Sequence, residues 1–143
     1  MNESFLWPVR VYYEDTDAGG VVYYANYLKF FERARTEWLR ALGFEQDALR
    51  HRFGLLFMVH SVSVEYRRPA FFNDLLEVAS HLEERHRVSM VFSQTVRHPG
   101  RDGLILCTGK VKVACVDEKT MRPRPLPTEL LPTQRVLEST RVA

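Results

Sequence analysis

The alternation of apolar and polar positions divides the chain into a first strand, a long amphipathic helix and then a run of sheet. Val9 to Tyr13 is β-branched and aromatic, follows Pro8, and reads as the first strand. From Tyr23 the period becomes helical. At 100° per residue, Lys29, Glu32, Arg33, Thr36, Glu37 and Arg40 fall on one arc, and Tyr27, Phe31, Ala34, Trp38 and Leu42 fall opposite. Gly43 supplies the stop, suited to a left-handed C-terminal cap. A helix of about 19 residues would be nearly 30 Å long and could cross a whole sheet. Arg35 breaks the pattern, because it sits inside the apolar arc between Phe31 and Leu39. A charge there needs a partner or a route to solvent, so an ion pair, a snorkelling side chain and a substrate contact are the readings to separate.

Phe44 to Phe53 reads as a short connecting turn of helix. Four strand-like runs follow: Leu55 to Arg68, Leu75 to Glu83, Val88 to Val96, and Leu104 to Val116. Asn73-Asp74, Glu84 to Arg87, and Pro99 to Gly103 mark the turns between them. Val62, Val64 and Tyr66 alternate with Ser61, Ser63 and Glu65, which predicts one buried face. The last run is apolar in both phases, and covering its second face would take another subunit. From Arg122 to Pro132 the chain is rich in proline and expected to be extended. Links this short favour antiparallel neighbours, since parallel ones need long crossovers. The expected fold class is α+β, a five-stranded antiparallel sheet wrapped around one long central helix.

Composition adds limits. The 143 residues suit one domain, 1–143, with a sizeable core. A formal net charge of +2 with 27% charged residues does not indicate nucleic acid or an anionic membrane as partner, so any anion site is local. Cys107 and Cys115 lie in one apolar segment and read as buried thiols. The start of the sequence lacks a basic region followed by an apolar run. No segment approaches the ~20 apolar residues of an integral membrane segment. A cytoplasmic location is expected.

The remaining loop, Asp15 to Gly20, puts two carboxylates between strand and helix, with Gly19 and Gly20 supplying backbone freedom. Its spacing is a poor calcium loop: counting from Asp15, the fifth position is Gly19 and the twelfth is Asn26 rather than Glu. No metal or cofactor enters this reading. Read from the residues alone, Asp17 is either a loop or cap carboxylate that accepts backbone hydrogen bonds or a group that does chemistry. Asp15 is read as structural.

The stretch from Trp7-Pro8-Val9-Arg10 through Glu-Asp-Thr-Asp-Ala-Gly-Gly-Val-Val-Tyr to Tyr27 and Glu32-Arg33-Ala34-Arg35 is a long composite motif. Val64-Glu65-Tyr66, Pro69 and the late Arg-Pro-Leu-Pro extend it more loosely. It resembles the 4-hydroxybenzoyl-CoA thioesterase family of hot-dog folds, and within it the YbgC-type acyl-CoA thioesterases associated with the bacterial Tol-Pal cluster. The resemblance implies a hydrolytic thioesterase with Asp17 catalytic. One departure is Tyr24, where the YbgC-type proteins often carry His, so an imidazole is unavailable at that place.

Thioester hydrolysis needs a group that attacks or activates water, and donors for the negative charge that grows on the carbonyl oxygen. Asp17 can supply the first, as nucleophile or general base. Backbone N–H groups at the helix entry, Tyr24 foremost, can supply the second. Gly19 and Gly20 would let the substrate approach the backbone closely. Tyr13 is a candidate polar assistant, with a core strand position as the competing reading. For the phosphates of CoA, the resemblance points to Arg85, His86 and Arg87 at a strand turn, followed by Ser89; the competing reading is a solvated hairpin, and Arg67-Arg68 is a further pair. The expected partners are an acyl-CoA substrate and an acyl carrier protein donor, in a homodimer or homotetramer. A non-catalytic acyl-thioester-binding scaffold is the alternative from another class. A hot-dog dehydratase ranks low, because none of the five His residues lies in the motif.

Overall fold

The computed structural model describes residues 4–127. Its strands are β1 Phe5–Arg10, β2 Leu55–Tyr66, β3 Leu75–Arg85, β4 Ser89–His98 and β5 Leu104–Asp117, and its helices are α1 Asn26–Ala41 and α2 Gln46–Phe53. All neighbours are antiparallel, in the order β1-β3-β4-β5-β2. This is the expected five-stranded sheet around one long helix, with the shorter α2 filling the connection to β2.

The apolar arc of α1 is buried as its period requires: Tyr27, Phe30, Phe31, Ala34, Trp38 and Leu39 are all inside. They meet the alternate residues of the inner strands, including Leu76, Val78, Phe92, Val96, Val111 and Cys115. Trp38 packs edge-on to Phe92 with ring centroids 5.1 Å apart. Gly109 has a packing role, because a Cβ there would come 2.7 Å from the Phe31 ring. The helix ends in the hydrogen-bond pattern of a Schellman motif, Phe44 N–H to the Leu39 carbonyl and Gly43 N–H to that of Arg40, with Gly43 at φ +97°.

Four expectations are corrected. The first strand runs earlier, Phe5–Arg10, and tolerates Pro8 because β1 is an edge. Tyr13 therefore leaves the strand for a 3-10 turn at Tyr13–Asp15, and is 81% exposed, edge-on to Phe72. The helix starts at Asn26, since the Tyr23 N–H is given to the Asp15 carbonyl at 2.9 Å and holds the chain in the loop. The surplus apolar surface belongs to β2 rather than β5. As the other edge strand, β2 leaves Met58, Val59, Val62 and Tyr66 exposed, whereas β5 lies between two strands and its Leu106, Cys107, Val113 and Val116 are buried within one chain.

Arg35 solves its burial without an ion pair among the described residues. One N–H donates to Gln94 Oε1 at 3.0 Å, and buried Gln94 donates in turn to the Phe31 carbonyl and to Ser80 Oγ. Desolvation holds the guanidinium pKa below its ordinary value, partly offset by Glu32. Cys107 and Cys115 are free, buried thiols, and burial pushes Cys107 up to about 12. The proline-rich stretch is extended where described: Pro123 bridges Val116 and the Leu126 N–H reaches the Arg87 carbonyl. Its end, residues 128–132, lies outside the described residues.

Candidate active site

Between β1 and α1 the chain makes a loop whose two carboxylates have different surroundings. Asp15 is 3% exposed; one oxygen accepts the Tyr12 N–H at 2.8 Å and the other accepts Asn26 Nδ2 at 2.7 Å. It thereby ties the end of the first strand to the first turn of α1. Asn26, itself buried, was not singled out by sequence reasoning. The available signal was an amide at the helix start, close in the fold to an acidic residue that must be satisfied if buried.

Asp17 stands at the solvent side of the same loop. Its N–H donates to the Val21 carbonyl at 2.9 Å and its carbonyl accepts the Gly20 N–H at 3.0 Å, closing a tight turn. Gly20 at φ +80° supplies the left-handed residue that this turn needs. The side-chain oxygen Oδ1 accepts the Gly19 N–H at 2.8 Å. The second oxygen has no hydrogen-bond partner among the described residues. A Cβ on Gly19 would lie 3.2 Å from Oδ1, so the glycine leaves the carboxylate its place. The turn is pinned to the β2–β3 connection by the bridge of Val21 with Phe71 and by the Val22 N–H on the Ala70 carbonyl at 2.9 Å.

At the helix entry, the Tyr24 N–H has no hydrogen-bond partner among the described residues, whereas that of Tyr23 is already engaged. The two phenol rings lie 4.8 Å apart. A hydrogen bond to Tyr24 is the main cause that raises the Tyr23 pKa, and the negative charge of Asp17 adds to it. The carboxylate's charge thus reaches the Tyr23 phenol. Beside Tyr24 opens a hollow of about 280 Å³ whose walls include Tyr27, Tyr66 and Pro69 and whose rim carries Arg67 and Arg68. A second hollow, of about 260 Å³, lies between α1 and β2 with Phe31, Arg35, Val59 and Val62 in its walls.

The structure thus gathers Asp17, Gly19, Gly20 and Tyr24 at one end of the sheet, with Tyr13 exposed nearby. It leaves the Arg85–Arg87 turn at the far end of β3, a strand on the order of 30 Å long at roughly 3.3 Å per residue. Arg85, His86 and Arg87 are exposed, and the His86 ring is 2.8 Å from Glu84. Ser89 does not share their surface: it is 6% exposed, and its carbonyl accepts the His86 N–H. Among the described residues no group of three or more His, Cys, Asp and Glu is placed to hold a metal ion.

A family model described as the thioesterase-like superfamily matches residues 11–133. The acyl-CoA thioesterase YbgC of Haemophilus influenzae is 46% identical over 130 residues, 91% of this chain and 93% of its own. The acyl-CoA thioester hydrolase YbgC of Escherichia coli is 46% identical over 127 residues, 89% of this chain and 92% of its own. Among solved structures, a probable thioesterase from Bartonella henselae superposes with a TM-score of 0.80 at 36% identity, covering 85% of this chain and 98% of that one.

Proposed function

Because the chain belongs to the thioesterase-like superfamily and is a thioester hydrolase, we propose that it hydrolyses acyl-CoA to free acid and CoA with Asp17 as its catalytic carboxylate. The observation that carries this reading is the pairing, at one end of the sheet, of an exposed carboxylate with an unengaged oxygen and a helix-entry amide with no partner among the described residues. The free oxygen of Asp17 attacks the thioester carbonyl carbon, or takes the proton of the water that does. The Tyr24 N–H, at the positive end of α1, donates to the carbonyl oxygen as it becomes negative. A donor so placed contributes about 3 kcal/mol to the transition state. Where Asp17 attacks, collapse of the tetrahedral species expels the CoA thiolate and leaves an Asp17–acyl anhydride, which water hydrolyses to the acid and free Asp17. Where water attacks, the same collapse gives the acid directly, and on both routes the proton lost by water goes to the thiolate. Tyr13 is left out of this scheme, because its exposed ring turns to Phe72.

The chain acts as a homodimer or homotetramer. Its exposed β2 edge, with four large apolar side chains and unpaired backbone groups, supports a second copy as the neighbour. Arg85 and Arg87 stand at the opposite end of β3 from Asp17, and they are assigned to the CoA phosphates bound at the site of a neighbouring copy. An acyl carrier protein thioester is an alternative donor of the same chemistry. A cytoplasmic location and a role beside the Tol-Pal system are proposed from the motif resemblance alone; separately, no helix among the described residues is long and apolar enough to cross a membrane. A thiol-release assay over acyl-CoAs of varied chain length tests the reading. Turnover by the wild-type chain is expected, and saturable binding of every acyl-CoA without thiol release would contradict it in favour of a scaffold.

A further inference from the structure

Both ends of the loop that carries Asp17 hang on a segment the mechanism does not use, the turn 70–74 between β2 and β3, which lies outside both strands. The entrance is held twice: the Val11 N–H donates to the Asp74 carbonyl and the Asn73 N–H to that of Val11, both at 2.9 Å. The exit is held by the Val22 N–H on the Ala70 carbonyl and by the bridge of Val21 with Phe71. The first turn of α1 is held as well, because the Ala70 N–H donates to the Tyr27 hydroxyl at 3.2 Å. Asp17 gives its own N–H to the Val21 carbonyl, and Tyr24 follows Val22 by two residues, so both reacting groups are registered against this turn.

The turn needs a clasp. Asn73 takes a left-handed backbone, φ +72°, without being a glycine, a conformation that persists only where the surroundings impose it. Asp74 imposes it. Its N–H donates to the Phe71 carbonyl at 3.1 Å and its Oδ2 accepts the Phe71 N–H at 2.9 Å, which closes the chain over Phe72 and Asn73. The other oxygen, Oδ1, faces Nε2 of His98 at the end of β4, 3.5 Å away, with both side chains largely shielded from solvent. Nδ1 of that ring is buried with no hydrogen-bond partner among the described residues, so an N–H on Nε2 is the one that Asp74 can answer. Gly100 leaves the ring its place, since a Cβ there would come 3.2 Å from His98 Cε1. Neither side chain lines the hollow beside Tyr24 or the one between α1 and β2.

We propose that Asp74 is a positioning residue for the hydrolysis, with His98 fixing its orientation: by clasping the turn 70–74 it sets the separation of the Asp17 carboxylate and the Tyr24 N–H. The assignment rests on the reading of those two groups as the reacting pair. Loss of the clasp relaxes the turn and moves the loop ends that hang on it. The chemical step slows while the contacts that bind the substrate stay in place.

Steady-state hydrolysis and amide hydrogen exchange on the full chain test this together. Asp74→Ala lowers kcat about tenfold or more with KM changed less than about twofold, since a misplacement of about 1 Å can cost about a hundredfold. Exchange accelerates at the amides of Val11, Asp17 and Val22, while those of β4 and β5 keep their protection. Asp74→Asn, whose side-chain oxygen still accepts the Phe71 N–H, returns kcat to within about threefold of wild type. His98→Ala shows the same pattern with a smaller loss. An unchanged kcat in Asp74→Ala overturns the assignment. So does faster exchange over the whole sheet with kcat and KM altered together, or an Asp74→Asn variant as slow as Asp74→Ala. Where Asp74→Ala does not fold, His98→Ala decides, and wild-type kcat with wild-type exchange at Asp17 and Val22 overturns the assignment. If the wild-type chain releases no thiol, the proposed reaction fails by itself. Acceleration confined to the loop in Asp74→Ala then still upholds the clasp, and its absence overturns it.

Discussion

The inner and outer halves of the loop between β1 and α1 carry the same functional group two residues apart and use it in opposite ways. Asp15 is buried with both oxygens satisfied, by a backbone N–H and by the Asn26 amide. Asp17 is exposed, with one oxygen on the Gly19 N–H and the other unengaged. A buried carboxylate with each oxygen engaged by the fold can position elements but is not open to a substrate. On the proposed mechanism, exposure and an unengaged oxygen together, rather than the residue type, separate Asp17 from the structural Asp15.

That contrast can be broken by exchanging the roles. Asp17→Asn should lower acyl-CoA hydrolysis by about a thousandfold or more while the melting temperature holds, since the amide keeps the turn but neither attacks nor accepts a proton. Steady-state kinetics with circular dichroism checks both halves. Asp15→Ala should do the reverse. It leaves the Asn26 amide and the Tyr12 N–H without their acceptor, at a cost of about 3 kcal/mol in urea unfolding, with the catalytic group itself untouched. Gly20→Ala should cost about 1–2 kcal/mol, because a side chain must then occupy φ +80°.

Finer changes sharpen the contrast. Gly19→Ala brings a Cβ to 3.2 Å from Asp17 Oδ1. Displacing the carboxylate by a few tenths of an ångström should lower kcat about fivefold with little change in KM or stability. The smallest effect is electrostatic. The Tyr23 phenol titrates above its ordinary value chiefly through its hydrogen bond to Tyr24, with a further contribution from the Asp17 charge. Removing that charge in Asp17→Asn should lower the Tyr23 pKa, read by carbon NMR of labelled tyrosine, and an unmoved titration would place the carboxylate out of its reach.

The α1 periodicity was legible because burial of one helix face is a local rule, and Phe31, Ala34 and Trp38 obey it. The motif around Asp17 was legible through its glycines, and Asp15 as a structural acid. What escaped was set by pairing between distant segments. Nothing local says that Tyr23 N–H goes to Asp15 and so delays the helix to Asn26. The alternation in Val62, Val64 and Tyr66 predicts a buried face only if something lies against it, and β2 turns out to be an edge. Arg35 was seen to need a partner, but the partner, Gln94, stands on a strand 59 positions away. The Arg85–Arg87 turn was read as a phosphate site through the family resemblance alone, and the extent of β3, Leu75 to Glu83 by sequence against Leu75–Arg85 in the structure, was nearly legible.

The central claim is that Asp17 and the Tyr24 N–H act on one thioester. Its most direct test is a crystal structure of the full chain with a non-hydrolysable acyl-CoA analogue. The analogue's carbonyl carbon, or the atom that replaces it, is expected about 3–3.5 Å from the free oxygen of Asp17, with the carbonyl oxygen accepting the Tyr24 N–H. An analogue whose carbonyl is held elsewhere, such as against Arg35 in the hollow between α1 and β2, would contradict it.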